Sequence, residues 1–434
     1  VAFDMGGTTA KATLIRDGRI ETASGMEAAR VDRFAQGSGL PIEIPVIDMI
    51  EIGAGGGSIA RIDEVGLLKV GPHSASSLPG PACYGFGGTE PTVTDANLVL
   101  GYYDPGFFLG GRMRLDLEAA GTALAKVAAP LGLSIEDAAL GIHRTVNESM
   151  AAAARIHLIE KGRDPRQYAM VGFGGAGPAH AVEVARILGM REVIVPPGSG
   201  AASALGFLTA PLSFEVVRSR IVELREDLFD AGLAQLLADI EAEARDKLIS
   251  AGVAPDAIEV ERGVDLRLVG QLHAVTISLG AGRIDASSLA EIRAAFAEAY
   301  ARRYVAPYAG AVIDAISFRV RCTGPEPRVD IVGRDEAATQ KVRGTRRALF
   351  PSGAQEASVY DRYALRPGER IEGPAIVEER ESTTILGPND RAEVDASGNL
   401  VVSIALAEAA EIVVDGALPL EQAIARLEAD AVTF

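Results

Sequence analysis

The feature that most constrains the fold of this chain is a turn of glycines and threonines between its first two predicted strands. Residues 1–3 and 11–15 each have the apolar pattern of a strand, and Asp-Met-Gly-Gly-Thr-Thr stands between them at residues 4–9. Glycines let backbone N–H groups approach an anion closely, and threonine hydroxyls add further donors. This arrangement is typical of a phosphate-binding loop, although a simple hairpin turn has the same pattern.

Each polar residue of this opening loop has a predicted role. The carboxylate of Asp4 is expected to hold Mg²⁺ or a water, because Mg²⁺ favours oxygen ligands. Lys11 either offsets phosphate charge or is a solvated strand lysine. The residues expected to hold phosphate are Gly6, Gly7, Thr8 and Thr9.

The composition is that of a globular and strongly acidic protein. Of the 434 residues, 48% are hydrophobic and 23% charged, which suits two or three domains with ordinary cores. The formal net charge of -17 argues against nucleic acid as the main partner, because a phosphate backbone needs a basic face. No apolar run of about 18 residues predicts a membrane span. The two cysteines fit no metal motif, so a reducing cytoplasm is the expected location.

A second glycine turn, Gly-Phe-Gly-Gly-Ala-Gly at residues 172–177, lies between a predicted strand and a predicted helix. It matches the dinucleotide fingerprint in form. The following strand ends in two prolines at 196–197 instead of the acidic residue that would hold a ribose, which disfavours NAD. A helix N-terminus beside glycines still favours a nucleotide. The candidate nucleotide-binding residues here are Gly174, Gly175 and Ala176.

A third glycine-rich segment, residues 51–58, contains Gly55, Gly56 and Gly57. Such a density of glycine is entropically costly, so it indicates backbone that approaches another group closely. That group is either a ligand or a neighbouring strand, and the sequence leaves both open. On the first interpretation these three glycines bind the cofactor.

Residues 71–110 are rich in Gly, Pro, Ser and Thr and lack helical periodicity, as functional loops often do. Glu90 and Asp95 are its candidate metal-binding or acid-base groups. Asp95 is equally well explained as a carboxylate that satisfies free N–H groups at a helix start. Cys83 fits a buried structural thiol better than a nucleophile, because no Cys/His signature accompanies it. Beyond this segment, His180 fits packing or capping slightly better than a ligand role.

The pattern changes after residue 211 to long helices and alternating strands. A helix is predicted at 227–251, strands at 258–279 and a second helix at 287–304. Residues 371–402 are strand-rich, and 418–427 have the pattern of a terminal helix. The fold class predicted for the chain is therefore α/β, followed by a strand-rich α+β region.

Five long motifs occur in the order found in the hydantoinase A/5-oxoprolinase family. They are FDMGGTT (3–9), EIGAGGGSIA (51–60), PGPACYG (79–85), GGTEPTVTDANLVLG (87–101) and VGFGGAGPAHA (171–181). Two later stretches, DLRLVGQ (265–271) and GPAIVEERESTT (373–384), resemble further signatures of that family. The resemblance extends from residue 1 to about residue 403.

The resemblance implies an actin/sugar-kinase-like (ribonuclease H-like) nucleotide fold. It divides the chain into an ATP-binding lobe of hydantoinase A type at 1–212 and a C-terminal α+β domain at 213–434. The opening loop becomes the second phosphate loop, and the turn at 172–177 becomes the adenosine-side loop. The family's first phosphate loop lies in an N-terminal lobe, which this sequence is expected to lack. Many members carry an acidic residue in place of Lys11, so the chain departs from the family pattern there.

The resemblance also implies a chemistry. Members use ATP with Mg²⁺ to phosphorylate a carbonyl-derived oxygen, either of a cyclic amide (hydantoinases, 5-oxoprolinases) or of an enolised ketone (acetone and acetophenone carboxylases). A hydantoinase B-like subunit is the expected partner. The candidate catalytic residues are Asp4, Glu90 and Asp95. Hydrolysis of a cyclic amide is the first hypothesis, a ketone carboxylase subunit the second, and a non-catalytic scaffold the third.

Overall fold

The chain folds into two compact units. In the computed structural model, unit 1 contains residues 1–202 with 340–406, and unit 2 contains residues 203–327. The residues that the structure describes are 1–23, 25–28, 39–42, 44, 46–228, 231–271, 274–280, 284–301, 310–327 and 340–406. The helix predicted at 418–427 lies outside them.

The first part of unit 1 begins with short strands and continues with helices. The strands are β1 (Ala2–Met5), β2 (Ala10–Thr13), β3 (Ile15–Arg16), β4 (Arg19–Ile20), β5 (Thr22–Ala23), β6 (Met26–Ala28), β7 (Leu40–Ile42), β8 (Val46–Ile47), β9 (Met49–Ile52), β10 (Ser58–Ile62) and β11 (Leu68–Ser74). The next elements are α1 (Val93–Val99), α2 (Leu117–Leu131), α3 (Ile135–Glu160), β12 (Met170–Phe173), α4 (Gly177–Ile187) and β13 (Glu192–Val195).

The later elements belong first to unit 2 and then again to unit 1. Those up to residue 323 are α5 (Ala202–Thr209), β14 (Ser213–Glu223), α6 (Ala231–Ser250), β15 (Glu259–Leu268), β16 (Val275–Ser278), α7 (Leu289–Ala301) and β17 (Ile313–Thr323). The last strands are β18 (Val342–Phe350), β19 (Gly353–Asp361), β20 (Arg370–Glu372), β21 (Ala375–Glu378), β22 (Thr383–Leu386), β23 (Arg391–Val394) and β24 (Leu400–Ser403).

The main sheet of unit 1 contains eight of the described strands, in the order β20-β23-β24-β13-β12-β1-β2-β9. Its centre is parallel, since β1 pairs with β12 and β12 with β13, and α4 makes the crossover between the last two. Parallel strands end at the same edge of a sheet, so the turns after β1 and β12 lie side by side. The predicted α/β class is confirmed, and its two glycine turns meet at one sheet edge.

The helices begin where the sequence supplies capping side chains. The Ser134 hydroxyl accepts a hydrogen bond from the Asp137 N–H at 3.0 Å, and α3 starts at the next residue. Further along α3, Ile142, Val146 and Met150 recur every four residues and are fully buried, as the inner face of an amphipathic helix requires. Among the described residues, no helix is both long and apolar enough to cross a membrane.

Unit 2 has a core of its own. Its four described strands form an antiparallel sheet in the order β14-β17-β15-β16, and α6 and α7 accompany them. The buried side chains include Leu248 on α6, Phe296 on α7 and Phe318 on β17. The two long helices predicted at 227–251 and 287–304 are observed, within the described residues, as α6 and α7.

The two units do not follow the boundary predicted at 212/213. Strands β20, β23 and β24 join the main sheet of unit 1, where Val402 of β24 lies opposite Val193 of β13. The structure thus divides the region predicted as one domain, 213–434, between both units. The sequence pattern predicts strands at 371–402. It does not indicate that one of them pairs with β13, because β13 lies about two hundred residues earlier in the chain.

Candidate functional site

The opening loop is held in place by backbone hydrogen bonds from the third glycine-rich segment. The N–H of Gly56 donates to the carbonyl of Gly6 at 3.0 Å, and the N–H of Gly57 donates to the carbonyl of Gly7 at 2.6 Å. These two N–H groups therefore support the opening loop. Because they already donate to its carbonyls, they are not available to donate to a phosphate.

Gly55 is required by the closeness of the two backbones. A Cβ at this position would lie 2.5 Å from the backbone nitrogen of Thr8, a distance that real Cβ atoms do not tolerate. Of the two interpretations left open for residues 51–58, close packing on neighbouring backbone is the one observed. The cofactor-binding role predicted for Gly55 is replaced by a supporting one.

The opening loop presents two of its residues to solvent. The N–H of Gly6 donates to the carbonyl of Thr9 at 3.0 Å, which closes the turn. Gly7 and Thr8 between them are exposed, whereas Gly6 and Thr9 are half-buried. The exposed pair is the part of the loop that an anion can reach.

The second glycine turn interlocks with the first. Gly174 has φ +91°, and a Cβ there would lie 2.3 Å from Oδ1 of Asp4 and 2.5 Å from the carbonyl oxygen of Met5. That carbonyl accepts a hydrogen bond from the N–H of Ala176 at 3.0 Å, and the N–H of Gly174 donates to the Ser199 carbonyl at 2.9 Å. The carboxylate of Asp4 is thus packed directly against the second glycine turn.

Lys11 lies in a row of charged residues across three strands. It is opposite Asp4 in the β1–β2 pairing and opposite Glu51 in the β2–β9 pairing. Directly paired residues share one face of a sheet, so Lys11 has a carboxylate-bearing neighbour on each side. Its predicted action on phosphate remains a prediction.

A cavity of about 230 Å³ opens beside the two loops. Gly7 and Gly56 line it from the opening loop and its support, and Gly175 and Ala176 line it from the second turn. The segment 378–383 forms another part of its wall. Residues from the first, second and third glycine-rich segments therefore meet around one cavity.

An aromatic wall, formed by Tyr84, Tyr103, Phe107 and Phe108, lines the same cavity. The rings of Tyr84 and Phe108 lie 5.7 Å apart, and those of Tyr103 and Phe108 5.9 Å apart. The sequence interpretation assigned no site residue to this wall. Its signal was the run YYDPGFF at 102–108, which stands out in a chain with only 5% aromatic residues.

A buried hydroxyl-carboxylate cluster ties the segment 378–383 to the second turn. Oε2 of Glu379 accepts from the Ser199 hydroxyl at 2.8 Å and from the Ser382 hydroxyl at 2.7 Å. The Arg362 guanidinium lies 3.7 Å from the other oxygen of Glu379, with both side chains buried. Because the Ser199 carbonyl also holds Gly174, this cluster fixes one wall of the cavity relative to the other.

Asp95 has a structural role, contrary to its prediction as a catalytic group. It is fully buried, and its carboxylate accepts from the N–H groups of Cys83 at 2.8 Å and Thr92 at 2.9 Å, and from the Thr92 hydroxyl at 2.7 Å. Together with Thr92 it forms the capping box at the start of α1. With its oxygens engaged in this way, the helix-start interpretation is the one observed.

Glu90 is likewise removed from the cavity. Its carboxylate lies on the surface, with 53% of the side chain exposed, and forms an ion pair with Lys126 at 2.7 Å. An exposed ion pair of this kind contributes little to stability. Glu90 is not among the residues that line the cavity, and its acid-base or metal role remains a prediction.

Cys83 is buried and unpaired, as predicted for a structural thiol. Burial, with the nearby Asp95 carboxylate as a second cause, raises the pKa of the thiol far above its ordinary value. A nucleophilic role is incompatible with such a thiol.

His180 belongs to a buried polar network beneath the aromatic wall. Its Nδ1 lies 2.7 Å from Oδ1 of Asn147, and its Nε2 lies 3.0 Å from Nδ2 of Asn97. The ring stacks on His143 at 4.6 Å between centroids. Burial lowers the pKa of His180 well below its ordinary value, and the neighbouring His143 adds to the shift. Packing, as preferred from sequence, is its observed role.

The residues present are compatible with nucleotide-bound Mg²⁺. Nowhere in the described ranges do three or more His, Cys, Asp or Glu side chains come together as a metal site of their own. Mg²⁺ that accompanies a nucleotide usually takes one or two protein carboxylates and completes its shell with phosphate oxygens and water. The half-buried carboxylate of Asp4, next to the phosphate loop, suits that mode of binding.

The chain belongs to the hydantoinase/oxoprolinase family. The family model described as hydantoinase/oxoprolinase matches residues 1–216, and the model of the hydantoinase/oxoprolinase C-terminal domain matches residues 228–400. The family suggested by the sequence motifs is therefore confirmed over most of the chain.

Relatives within this family act on different compounds. The chain is 34% identical to the caprolactamase subunit alpha of Pseudomonas jessenii, over 92% of this chain and 57% of the relative. It is 31% identical to the acetophenone carboxylase gamma subunit of Aromatoleum aromaticum, over 92% of this chain and 55% of that subunit. The chain thus spans a little over half the length of these curated relatives.

Solved structures of the family have the same fold. The crystal structure of the ATP-dependent caprolactamase from Pseudomonas jessenii superposes with a TM-score of 0.74 at 33% identity, over 93% of this chain and 58% of that chain. The nucleotide-free acetone carboxylase gives a TM-score of 0.75 at 25% identity, with the same shares covered. The similarity extends across both units, each of which the family models also match.

Proposed function

We propose that this chain carries the nucleotide-binding site of an ATP-dependent enzyme that hydrolyses a cyclic amide. The observation that supports it is the pair of interlocked glycine turns at the ends of β1 and β12, with Gly7 and Gly175 on the wall of one cavity. The carboxyl edge of parallel strands is where open α/β sheets bind nucleotides. The ATP dependence in the names of solved relatives supports the same conclusion.

The chain's own residues would divide the work of binding. The exposed backbone of Gly7 and the hydroxyls of Thr8 and Thr9 would hold phosphate oxygens, and Gly175 with Ala176 would border the adenosine. Asp4 would hold the Mg²⁺ that accompanies the nucleotide. Because Gly174 has no side chain, the carboxylate of Asp4 is able to lie directly against the second turn, where a Cβ would meet its Oδ1 at 2.3 Å.

ATP supplies the phosphoryl group that converts an unreactive amide carbonyl into an activated ester, with ADP as the leaving group. Such a step needs positioning and charge stabilisation more than a protein nucleophile, which agrees with the buried, unreactive Cys83. The aromatic wall would exclude bulk water from the activated intermediate. Water admitted afterwards attacks the activated carbon, the C–N bond of the amide breaks, and inorganic phosphate leaves.

A hydantoinase B-like subunit is the partner we propose, since relatives of this chain are named as subunits of larger enzymes. The two free thiols are consistent with work in the cytoplasm. The second candidate is a ketone carboxylase subunit, favoured by the similarity to the acetophenone enzyme. Turnover of ATP that requires bicarbonate and a ketone identifies that alternative, whereas turnover with hydantoins or 5-oxoproline identifies the hydrolase.

Isothermal titration of the complete protein with ATP and with ADP, each with and without Mg²⁺, tests the proposal directly. We expect binding that requires Mg²⁺ and that weakens at least tenfold in the Asp4→Asn variant. Glu393→Gln, which changes a half-exposed carboxylate on β23, serves as the matched control and should bind as the wild type does. Absence of nucleotide binding under all conditions would reject the nucleotide site, and would leave the scaffold interpretation in its place.

A further inference from the structure

Two adjacent tyrosines differ in what their hydroxyls contact. The Tyr102 hydroxyl donates to the carbonyl of Leu349 at 2.9 Å. The Tyr103 hydroxyl accepts from Nδ2 of Asn97 at 3.3 Å, and its side chain belongs to the aromatic wall of the cavity. Since an amide nitrogen only donates, the proton of the Tyr103 hydroxyl is not used in this contact. Within the described part of the chain, this is the one hydrogen bond that the hydroxyl makes.

Asn97 is fixed in a single orientation. It is fully buried, and its two amide protons go to the Tyr103 hydroxyl and to Nε2 of His180. Its oxygen accepts from Nδ1 of His143 at 2.8 Å. A flip of the amide would set its protons against the N–H of His143, so the donor remains directed at Tyr103.

The two histidines keep this orientation over a wide pH range. For the network to be satisfied, each ring carries a proton on Nδ1, His143 toward Asn97 and His180 toward Asn147, and His180 is neutral because its Nε2 accepts from Asn97. Burial lowers the pKa of His143 to about 4, and it lowers that of His180 as well. Among the described residues, the titratable rings in contact with this pair are each other and that of Tyr102, which packs edge-on to His143 at 5.2 Å.

We propose that Tyr103 contacts the substrate, donating its free proton to a carbonyl oxygen of the small molecule bound in the cavity, and that Asn97 positions it for this. The ring of Tyr103 packs on the apolar ring of Phe108, and Phe107 and Met113 line the same cavity, so a hydroxyl donor stands beside apolar surface, which suits a small amide or ketone. The phosphates belong to the glycine turns on the other wall. This inference rests on the proposed function for the identity of the bound molecule.

The test compares Tyr103→Phe with Tyr102→Phe, two substitutions that each remove one hydroxyl and keep the ring. Binding of caprolactam, 5-oxoproline and acetone to the full chain is measured by ligand-observed NMR, and ATP turnover is measured in parallel. We expect Tyr103→Phe to weaken binding of the carbonyl probe about tenfold, as one lost hydrogen bond does. Tyr102→Phe should bind the probe as the wild type does, and neither variant should change the KM for ATP more than twofold.

The positioning role of Asn97 is tested by a double-mutant cycle. Asn97→Ala should weaken probe binding in the wild-type background and add nothing further in the Tyr103→Phe background, because the same contact is already lost. Urea unfolding measures how much Asn97→Ala lowers the free energy of unfolding in each background. The two losses should differ only by the contribution of the hydrogen bond between Asn97 and Tyr103, which Tyr103→Phe has already removed. Additive losses of probe affinity would show that Asn97 acts through general packing and would overturn this part.

Several results would overturn the role of Tyr103. They are equal probe affinity in both tyrosine variants, a change confined to the KM for ATP, and no binding of any carbonyl probe by the wild type. Failure of the proposed function gives a different result, namely no ATP turnover or nucleotide binding while the carbonyl probe still distinguishes the two tyrosines.

Discussion

Arg186 on α4 forms an ion pair at 2.7 Å with Asp390, whose side chain is fully buried although it lies more than two hundred positions later in the chain. The same carboxylate accepts from the N–H of Gly387 at 2.8 Å and from that of Ala405 at 3.0 Å. This group therefore attaches the last described strands to the helix that follows the second glycine turn. The C-terminal part of the chain is thereby joined to the last turn of α4, at the end of the helix away from the second glycine turn.

Replacing Asp390 with Ala should destabilise unit 1. The change leaves two partly buried N–H groups and part of a guanidinium without the fully buried carboxylate that accepts from them, which costs roughly 3 kcal/mol. Urea unfolding measures this loss. Glu393→Gln is the control, because it breaks a surface pair with Arg370 whose side chains are 50% and 78% exposed and should cost less than about 1 kcal/mol. Equal losses in the two variants would contradict the structural role of Asp390.

Gly174→Ala should disrupt the interlocked turns. The new Cβ would meet Oδ1 of Asp4 at 2.3 Å in a backbone conformation with φ +91°, so we expect a loss of at least about 3 kcal/mol. Gly175→Ala is the matched control, since its Cβ would lie 3.6 Å from the nearest atom, a carbonyl oxygen of Glu381. In thermal unfolding, Gly174→Ala should have a clearly lower Tm than Gly175→Ala. A stable Gly174→Ala variant would show that Asp4 is free to move away from the second turn.

Asp95→Ala and Glu90→Gln should differ sharply in stability. Asp95→Ala leaves the buried N–H groups of Cys83 and Thr92 without an acceptor and removes the capping box of α1, at a cost of roughly 3 kcal/mol or more. Glu90→Gln removes only the surface pair with Lys126 and should change stability by less than about 1 kcal/mol. Denaturant unfolding of both variants measures this difference in the free energy of unfolding. A catalytic defect in a fully stable Asp95→Ala variant would restore the original prediction.

Stability should fall as the pH drops below about 6.5. The pKa of His143 is about 4 in the folded chain against an ordinary value of 6.5, so the unfolded state takes up this proton first. The shift contributes about 3 kcal/mol to the free energy of unfolding. This contribution is present in full above pH 6.5 and is lost progressively as the pH falls to 4. His180 acts in the same direction.

Urea unfolding between pH 4 and pH 8 measures this dependence. The slope should be smaller in His143→Gln, which no longer titrates, and unchanged in His73→Gln, which alters an exposed histidine. If His143→Gln retained the full slope, the titrating groups would have to lie elsewhere.

The sequence predicted those parts of the fold that local pattern determines. The strand expected at 192–195 is observed as β13 (Glu192–Val195), because apolar residues and the prolines after them define its ends. Both glycine turns also lie where their motifs placed them, at the ends of β1 and β12. The capping role of Asp95 was visible as one of two explanations, and only the contacts with Cys83 and Thr92 decided between them.

The remaining parts depend on partners that are distant in sequence. Nothing local indicates that Glu379 accepts from Ser199, or that Asn97 lies between His143 and His180. Glycines 55–57 have the same composition whether they face a ligand or another backbone, so the pattern alone left both possible. In each case the missing information was the tertiary pairing that brings distant segments to one sheet edge.

The return of β20, β23 and β24 to the main sheet has a consequence for how the chain is made. A ribosome releases unit 2 before it releases these strands, so unit 2 is able to fold while the main sheet still lacks three of its members. During that interval the edge of β13 that later pairs with β24 has no partner strand, and Val193 and Val195, which are buried in the folded chain, belong to this strand. An unpaired strand edge of this kind is able to pair with other chains. We therefore expect a nascent chain arrested before residue 400 to depend on chaperones far more than the released protein does.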